Sequence, residues 1–429
     1  MKIQTRPLSE NREARRVAVA SAIGTTIEWY DFFIYGTAAA LVFAPQFFPQ
    51  VSELEGTLAS FATFAIGFIA RPLGGIVMGH FGDRIGRKSM LVWSLMLMGI
   101  GTVVIGLLPT HAQIGVWAPI LLVLMRCVQG FGLGGEWGGA VLMSVEHAPR
   151  ERRGFFGGFV AFGLPTGIIL SNVVFLIVTG VTTGSQFAEW AWRIPFLFGA
   201  VLVVVGLFIR LRIAESPVFQ QMEQPRRVPA VDVLRAEWRK VLLAAGSYVG
   251  MSGMGYIVIV YFVSYANRQL GISTPTVLTM LIMASVVFAI GVVVFARLSD
   301  RWGRRRVMIW GCVGHAAWSL VLFPLADTKS VPLIAIDLIM ILALQSAYIG
   351  PQPAMFAELF PTELRYSGTS LSLTLGTILG GAVTPLVATA LYGATGTSWS
   401  VTAYVVLISL ITVVCQLALK ETYHKDLTA

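Results

Sequence analysis

Apolar residues form long runs along the chain, and short polar or charged stretches separate these runs. Twelve runs are long enough to cross a membrane, because a helical span needs about 20 mainly apolar residues. They lie near residues 17–45, 57–80, 89–108, 115–145, 154–180, 191–212, 241–266, 275–298, 306–326, 331–356, 366–392 and 399–419. The alternating polarity of membrane β-strands is missing from the sequence. We therefore predict an all-α membrane protein with twelve transmembrane helices.

Two pairs of similar segments indicate that the chain is a duplicated six-helix unit. The loop GHFGDRIGRKSM (79–90) matches ARLSDRWGRRRVM (296–308) at an offset of 217 residues, and E-x-x-P-x-E-x-R at 146–153 matches 358–365 at an offset of 212. Each member of a pair occupies the same place in its half, which predicts two pseudo-symmetric bundles. The predicted units are a cytoplasmic tail (1–16), the N-terminal bundle (17–212), a cytoplasmic linker (213–240), the C-terminal bundle (241–419) and a second cytoplasmic tail (420–429).

The charge of the chain fits a membrane location better than nucleic-acid binding. Only 12% of the residues are charged, about half the share of a typical soluble protein. With both termini in the cytoplasm, 26 of the 31 Lys and Arg residues fall in cytoplasmic segments. This asymmetry sets the topology of membrane proteins and accounts for the net charge of +9. We expect a monomer in a bacterial inner membrane, with both termini cytoplasmic and no nucleic-acid partner.

Two carboxylates interrupt the first apolar run, in the stretch TTIEWYDFFIYG. Glu28 and Asp31 are three residues apart and so share one helix face. A charge at the centre of a span costs ~2.5–3.5 kcal/mol even on the most lenient scale. Either both groups reach water or form a static ion pair, or they face a wet cavity where at least one binds a coupled proton. Glu136 in GLGGEWGG is a third buried carboxylate, and it is either a second proton site or a partner for Arg71.

One glycine motif is misleading. Gly130-x-Gly132-x-x-Gly135 matches the dinucleotide fingerprint, but that site needs a preceding strand, and here the motif lies within an apolar helix. Close helix packing is the better interpretation. We expect no nucleotide site, no metal and no cofactor, and no nucleophile–base pair of an enzyme.

Four further motifs resemble one transporter family. The paired D-R-x-G-R-[RK] loops are similar to the signature of the major facilitator superfamily. The stretches GTTIEWYDFFIYGTAAALVF, ARPLGGIVMGHFGDRIGRK, RCVQGFGLGGEWGGA and WAWRIPF resemble its metabolite–proton symporter branch. This branch includes carriers of shikimate, 2-oxoglutarate, citrate, proline and betaine. The resemblance runs from about Ala18 to Glu421, and it implies a substrate site at the bilayer midplane between the two halves.

The resemblance also implies roles for buried polar residues. It places Arg126 opposite Asp31, with Gln129 in the same cavity. Arg126 would pair with Asp31 in the empty carrier and switch to an anionic substrate once Asp31 is protonated, since guanidinium binds carboxylate at two points. The alternative is a permanent Arg126–Asp31 bridge. Arg71 either contacts a substrate carboxylate or caps carbonyls freed at Pro72.

The C-terminal half offers mostly neutral polar groups. We consider Tyr256, Tyr261, Gln345 and Gln352 as hydrogen-bonding contacts to substrate, together with Tyr30 in the first span. For each of these residues, packing is the alternative.

The paired loops are expected to act as cytoplasmic gates that clamp the halves together, as the family resemblance implies. The alternative is that short basic loops serve topology alone. The gate residues are Asp83, Arg84, Arg87, Asp300, Arg301 and Arg304, with Glu146, Arg153, Glu358 and Arg365 as partners.

These observations together favour a proton-coupled symporter that imports a small organic carboxylate or a zwitterionic metabolite by alternating access. The alternative is a proton-coupled antiporter that exports metabolites or drugs. The expected partners are a small substrate, protons and the lipid bilayer.

Overall fold

The computed structural model describes residues 8–85, 87–134, 136–146, 148–211, 230–361 and 364–423. Every regular element in these ranges is helical. In the N-terminal half the spans are formed by Leu8–Ala38, Ala39–Phe43 and Ala44–Phe47 (first), Glu53–Ile69 and Arg71–Ile85 (second), Arg87–Leu107 (third), Trp117–Leu133 and Glu136–Glu146 (fourth), Arg153–Val181 (fifth) and Ile194–Leu211 (sixth).

The C-terminal half repeats this series. Its spans are Ala230–Tyr256, Ile257–Tyr261 and Phe262–Arg268 (seventh), Thr274–Trp302 (eighth), Arg304–Trp318 (ninth), Val331–Ile349 and Gln352–Leu359 (tenth), Arg365–Thr377, Ile378–Ala382 and Thr384–Thr395 (eleventh) and Ser398–Ala418 (twelfth). In the described ranges, nine helices are long and apolar enough to cross a membrane. The prediction of an all-α membrane protein is confirmed.

Two helices extend into the segments predicted as a tail and a linker. The first helix begins at Leu8, inside the predicted tail, because charged residues end a lipid-facing run without ending a helix. The predicted linker is described only from residue 230, where it is already helical. A non-helical residue, Glu237, separates this piece from the rest of the seventh span.

The duplication is visible in the backbone. The first span widens into a π-helical turn at Ala39–Phe43 and the seventh span does so at Ile257–Tyr261, an offset of 218 residues. This offset is close to the 217 residues between the paired loops. Such turns are rare and often lie at functional sites. A third one, Ile378–Ala382, lies in the eleventh span.

The two bundles meet along several helix pairs. The fifth span lies along the eighth over most of its length, while the second and fourth spans contact the eleventh. Side chains such as Met283, Ile290 and Val294 of the eighth span remain exposed on the outer surface. A helix that buries one apolar face against the protein and exposes another apolar face has the pattern of a lipid-facing span.

Glycines let the second and fourth spans approach each other closely. A Cβ at Gly130 would overlap the carbonyl oxygen of Gly67, and a Cβ at Gly74 would overlap that of Phe131. The described part of the G-x-G-x-x-G stretch therefore lies at a helix contact.

We expect Gly130→Ala to lower the free energy of unfolding by about 1–3 kcal/mol, because the added methyl group forces the two backbones apart. Thermal unfolding of the purified protein in detergent measures this. Gly180→Ala is the matched control, since a Cβ there meets no atom within 4 Å. Equal stability of the two variants would contradict the close approach.

Candidate functional site

A cavity lies between the two halves, and both contribute to its wall. The N-terminal half supplies Glu28, Trp29, Arg71, Leu133, Gly134, Trp137, Gly138, Val160, Ala161 and Leu164, and the C-terminal half supplies Tyr248, Ile349, Gln352, Ser370, Leu373, Thr374 and Thr377. Glu28, Arg71 and Gln352 are thus brought together in the wall of one cavity. The wall also contains the indoles of Trp29 and Trp137 and the hydroxyls of the eleventh span, which were not predicted.

Arg126 lies in the N-terminal half, enclosed by aromatic rings. Its guanidinium carbon is 4.2 Å from the ring centroid of Tyr35, 4.3 Å from that of Phe32 and 5.1 Å from that of Phe64. Such contacts stabilise a cation on a ring face. Gly67 makes this position possible, because a Cβ there would collide with the Arg126 side chain.

The guanidinium of Arg126 has spare donors. Its Nη1 donates to Gln129 Oε1 at 3.1 Å, whereas Nε and Nη2 have no hydrogen-bond partner among the described residues. None of the ion pairs between described residues includes Arg126. A buried guanidinium with two unused donors is well suited to bind an anion.

Arg71 is the second buried cation, and it reaches the cavity. It stacks on Phe32 at 4.8 Å and on Phe68 at 5.0 Å. Its Nε has no partner in the described part of the chain. Phe32 thus contacts both guanidiniums, whose carbons lie at most 9.1 Å apart, the sum of 4.3 and 4.8 Å.

Asp31 does not form the expected direct ion pair with Arg126. Its carboxylate is 1% exposed, and neither oxygen accepts a hydrogen bond from a described residue. Gln129 and Thr102 lie between the two instead. The Gln129 Nε2 donates to Thr102 Oγ1 at 2.7 Å, and Thr102 adjoins Asp31 beside Gly199 of the sixth span.

Glu28 and Asp31 face different parts of the protein, although they are only three residues apart in the same helix. Glu28 lines the cavity between the halves. Asp31 faces the third and sixth spans inside the N-terminal bundle. The side chain of Glu136 lies outside the described residues.

Several predicted substrate contacts are packed within their own half. Tyr30 donates to the carbonyl of Pro195 at 2.7 Å, and Gln345 donates to that of Met251 at 3.0 Å. Tyr261 stacks on Tyr265 with ring centroids 5.8 Å apart. These three residues and Gln129 are not among the cavity residues, and neither are Arg126, Asp31 and Tyr256.

Tyr256, unlike the three residues that pack within their own half, contacts the other half: its ring packs against the aromatic rings around Arg71 and Arg126. Its ring centroid is 5.4 Å from that of Phe68 and 6.0 Å from that of Phe32. Its hydroxyl has no hydrogen-bond partner among described residues.

At the end of the molecule where the fifth span begins and the eighth span ends, the two halves are joined through Asp300. Its two oxygens accept the backbone N–H groups of Gly154 and Phe155, each at 2.8 Å, at the start of the fifth span. A carboxylate at a helix N-terminus satisfies free donors and the helix dipole. Arg304 holds this carboxylate at 2.6 Å and reaches Glu358 at 3.4 Å.

A second contact joins the halves nearby, where Arg365 lies 3.5 Å from Glu146. Arg301 is exposed. Arg153 begins the fifth span. The side chains of Asp83, Arg84 and Arg87 lie outside the described residues.

The segment after the twelfth span packs onto the contact at Asp300, which the sequence did not indicate. Glu421 accepts the N–H of Arg304 at 3.0 Å, Thr422 donates to Glu358 at 2.8 Å, and Tyr423 donates to the carbonyl of Asp300 at 2.6 Å.

The opposite ends of the halves also touch. Arg268, at the end of the seventh span, pairs with Glu53 at 3.1 Å and donates to Thr57 at 2.5 Å. Leu54 packs where Gly393 leaves space in the eleventh span. The cavity therefore lies between two sets of contacts that join the halves.

Comparison with known proteins identifies the family. The model of the Major Facilitator Superfamily matches residues 21–378 and 248–428. The Inner membrane metabolite transport protein YhjE of Escherichia coli (strain K12) is 42% identical over 420 residues, covering 96% of this chain and 95% of that protein. The Shikimate transporter of the same organism is 39% identical over 432 residues, covering 98% of each.

A solved structure has the same fold. The proton:xylose symporter XylE of E. coli, bound to 6-bromo-6-deoxy-D-glucose, superposes with a TM-score of 0.77 at 18% identity, covering 98% of each chain. The predicted family resemblance is confirmed, as is the expectation of a multi-pass membrane transporter and not an enzyme. The chain belongs to the Major Facilitator Superfamily.

Proposed function

We propose that the protein is a proton-coupled symporter that imports a small organic carboxylate or a zwitterion across the bacterial inner membrane. The observation that carries this proposal is a pair of buried guanidiniums, those of Arg71 and Arg126, for which no ion-pair partner is found among the described residues. A buried cation is costly unless an anion satisfies it. A substrate carboxylate supplies that anion.

The cavity wall suits the remainder of such a substrate. Trp29 and Trp137 offer apolar faces on one side. Gln352, Ser370 and Thr374 offer amide and hydroxyl groups on the other. These groups favour a compact carboxylate with further hydroxyls, as the name of the shikimate-transporting relative suggests. Aromatic faces also attract quaternary ammonium groups, so betaine-like zwitterions stay within the proposed class.

Asp31 is the proposed proton carrier, because a buried carboxyl near Arg126 is neutralised either by a proton or by that cation. The contacts at Asp300 and at Arg268 are the proposed gates, which open alternately so that the cavity faces one side at a time. Proton and substrate then cross together when both are bound.

Uptake into vesicles tests the proposal. The purified protein is placed in proteoliposomes, and radiolabelled shikimate and betaine are offered outside at low external pH. Symport predicts accumulation that an uncoupler abolishes, and it predicts that substrate added without a gradient makes the outer medium more alkaline. Acidification of the medium would instead indicate the antiporter. Absence of uptake of every carboxylate and zwitterion offered would overturn the proposed function.

We expect Asp31→Asn to abolish accumulation driven by the proton gradient while exchange of substrate across the membrane continues, because the variant cannot load a proton. Counterflow and gradient-driven uptake are measured in the same vesicles. Asp337→Asn is the matched control, since Asp337 is a buried carboxyl in the tenth span that accepts from Trp318 at 2.7 Å. Normal pH dependence in Asp31→Asn would place the proton elsewhere.

Arg126→Lys is expected to weaken substrate binding about 10- to 100-fold, because the two-point contact is lost while the charge remains. The apparent affinity is read from thermal stabilisation of the purified protein by increasing substrate. Near-normal affinity would remove Arg126 from the anion site.

Asp300→Asn is expected to favour the state that is open to the cytoplasm, since an amide holds the two N–H groups of the fifth span less strongly than a carboxylate. A cysteine introduced at Ser370, in a protein without native cysteines, reports access to the cavity. Its alkylation in inside-out vesicles should quicken about tenfold, as expected for the loss of one charge-assisted hydrogen bond. Glu237→Gln, in an exposed ion pair with Lys240, is the control and should leave the rate unchanged.

A further inference from the structure

We infer that Thr102 is a positioning residue that couples the protonation of Asp31 to the state of Arg126 through Gln129. This inference rests on the proposed proton-coupled transport, and it adds a residue that the sequence did not indicate. It concerns a row of four side chains, which we call the hydrogen-bond chain: Asp31 on the first span, Thr102 on the third, and Gln129 and Arg126 on the fourth.

The hydrogen-bond chain is continuous from the guanidinium of Arg126 to the hydroxyl of Thr102. Arg126 Nη1 donates to Gln129 Oε1 at 3.1 Å, and Gln129 Nε2 donates to Thr102 Oγ1 at 2.7 Å. Both hydrogen bonds are buried. The orientation of the Gln129 amide follows from its partners, because the reverse orientation would point its NH₂ group at a guanidinium that has only donors.

Every donor in this chain points from Arg126 towards Asp31. The next donor in line is the Thr102 hydroxyl, which at present donates to the carbonyl of Met98 at 3.0 Å. Rotation about the Cβ–Oγ1 bond would turn that hydrogen towards Asp31, which adjoins Thr102 beside Gly199, while the oxygen still accepts from Gln129. Hydrogen bonds aligned in this way polarise and strengthen one another.

Asp31 has the surroundings that such a switch requires. Both of its carboxyl oxygens are buried and accept no hydrogen bond from the described residues. The ionisable groups around it are Glu28 and Tyr30 of its own span and Arg126 of the fourth. The third and sixth spans present Thr102 and Gly199, which carry no charge.

The arrangement gives a two-state link between the charges. When Asp31 is ionised, the Thr102 hydroxyl donates to it, and the chain joins the carboxylate to the guanidinium. When Asp31 is protonated, the hydroxyl returns to Met98 and the chain ends at Thr102. The hydrogen-bond chain then no longer connects Arg126 to a carboxylate, and Arg126 is available to a substrate anion.

A threonine that only satisfies the carbonyl four residues before it would be a simpler explanation, and this contact is common in helices. It does not account for the second hydrogen bond, from Gln129, nor for the Asp31 oxygens left without a donor. Those two observations together carry the inference.

Infrared titration of the protonated carboxyl tests the chain without any substrate. The protein in lipid vesicles is titrated, and Asp31→Asn identifies the band. In Thr102→Val the midpoint of this band should move to higher pH by about one unit, the shift expected when the charged form loses one hydrogen bond. Thr102→Ser, which keeps the hydroxyl, should restore the original midpoint.

Controls separate this result from general effects. Thr37→Val makes the same change at a buried threonine of the first span, and its midpoint should not move. If Thr102→Val does not fold, Gln129→Met breaks the chain one step earlier and should also move the midpoint. An unchanged midpoint in the folded variant overturns the role of Thr102.

The proposed function fails separately from this inference. If the wild-type protein shows no uptake coupled to protons, the transport proposal fails whatever the titration gives. If wild-type uptake is coupled and Thr102→Val keeps both its midpoint and its accumulation of labelled shikimate or betaine, only the inference is wrong.

Discussion

Two guanidiniums buried without an ion pair among the described residues are the constraint on which the rest of the structure depends. A charge in a span costs ~2.5–3.5 kcal/mol on the lenient scale, and a desolvated cation–π contact returns roughly 2 kcal/mol. Three rings around Arg126 and two beside Arg71 therefore hold these charges in place without neutralising them. Both cations favour a neighbouring anion, such as an ionised Asp31 near Arg126.

The same electrostatic reasoning explains the ends of the molecule. The Asp300 carboxylate of one half accepts hydrogen bonds from the N–H groups at the start of the fifth span in the other half, and Arg304 donates to the same carboxylate. At the opposite end, Arg268 and Glu53 form a more exposed pair. Exposed pairs contribute little to stability, whereas buried ones are costly to break. We therefore expect the contact at Asp300 to separate less easily than the contact between Arg268 and Glu53.

The sequence predicted the fold well, because spans, loop charges and the duplication are written in patterns of many residues. It also singled out Arg126 and Arg71, since a charge stands out in an apolar run, and Asp300, which belongs to the repeated loop motif. It did not predict that Gln129 and Thr102 lie between Asp31 and Arg126, because side-chain direction depends on packing between helices. Trp29, Trp137 and the hydroxyls of the eleventh span were missed for the same reason: an aromatic or hydroxyl residue on a cavity wall has the same sequence signal as one in a core.

The two halves share an architecture but differ in chemistry. The charged groups at the centre belong to the first, second and fourth spans, whereas the C-terminal half faces the cavity with neutral groups such as Tyr248 and Gln352. Tyr256 connects the two, because its ring packs against Phe32, which itself contacts both guanidiniums. This tyrosine directly precedes the π-helical turn Ile257–Tyr261. Movement of the seventh span at that turn would change the surroundings of both cations at once, because Tyr256 packs on Phe32 and Phe68, the two rings beside Arg71, and Phe32 also lies against Arg126.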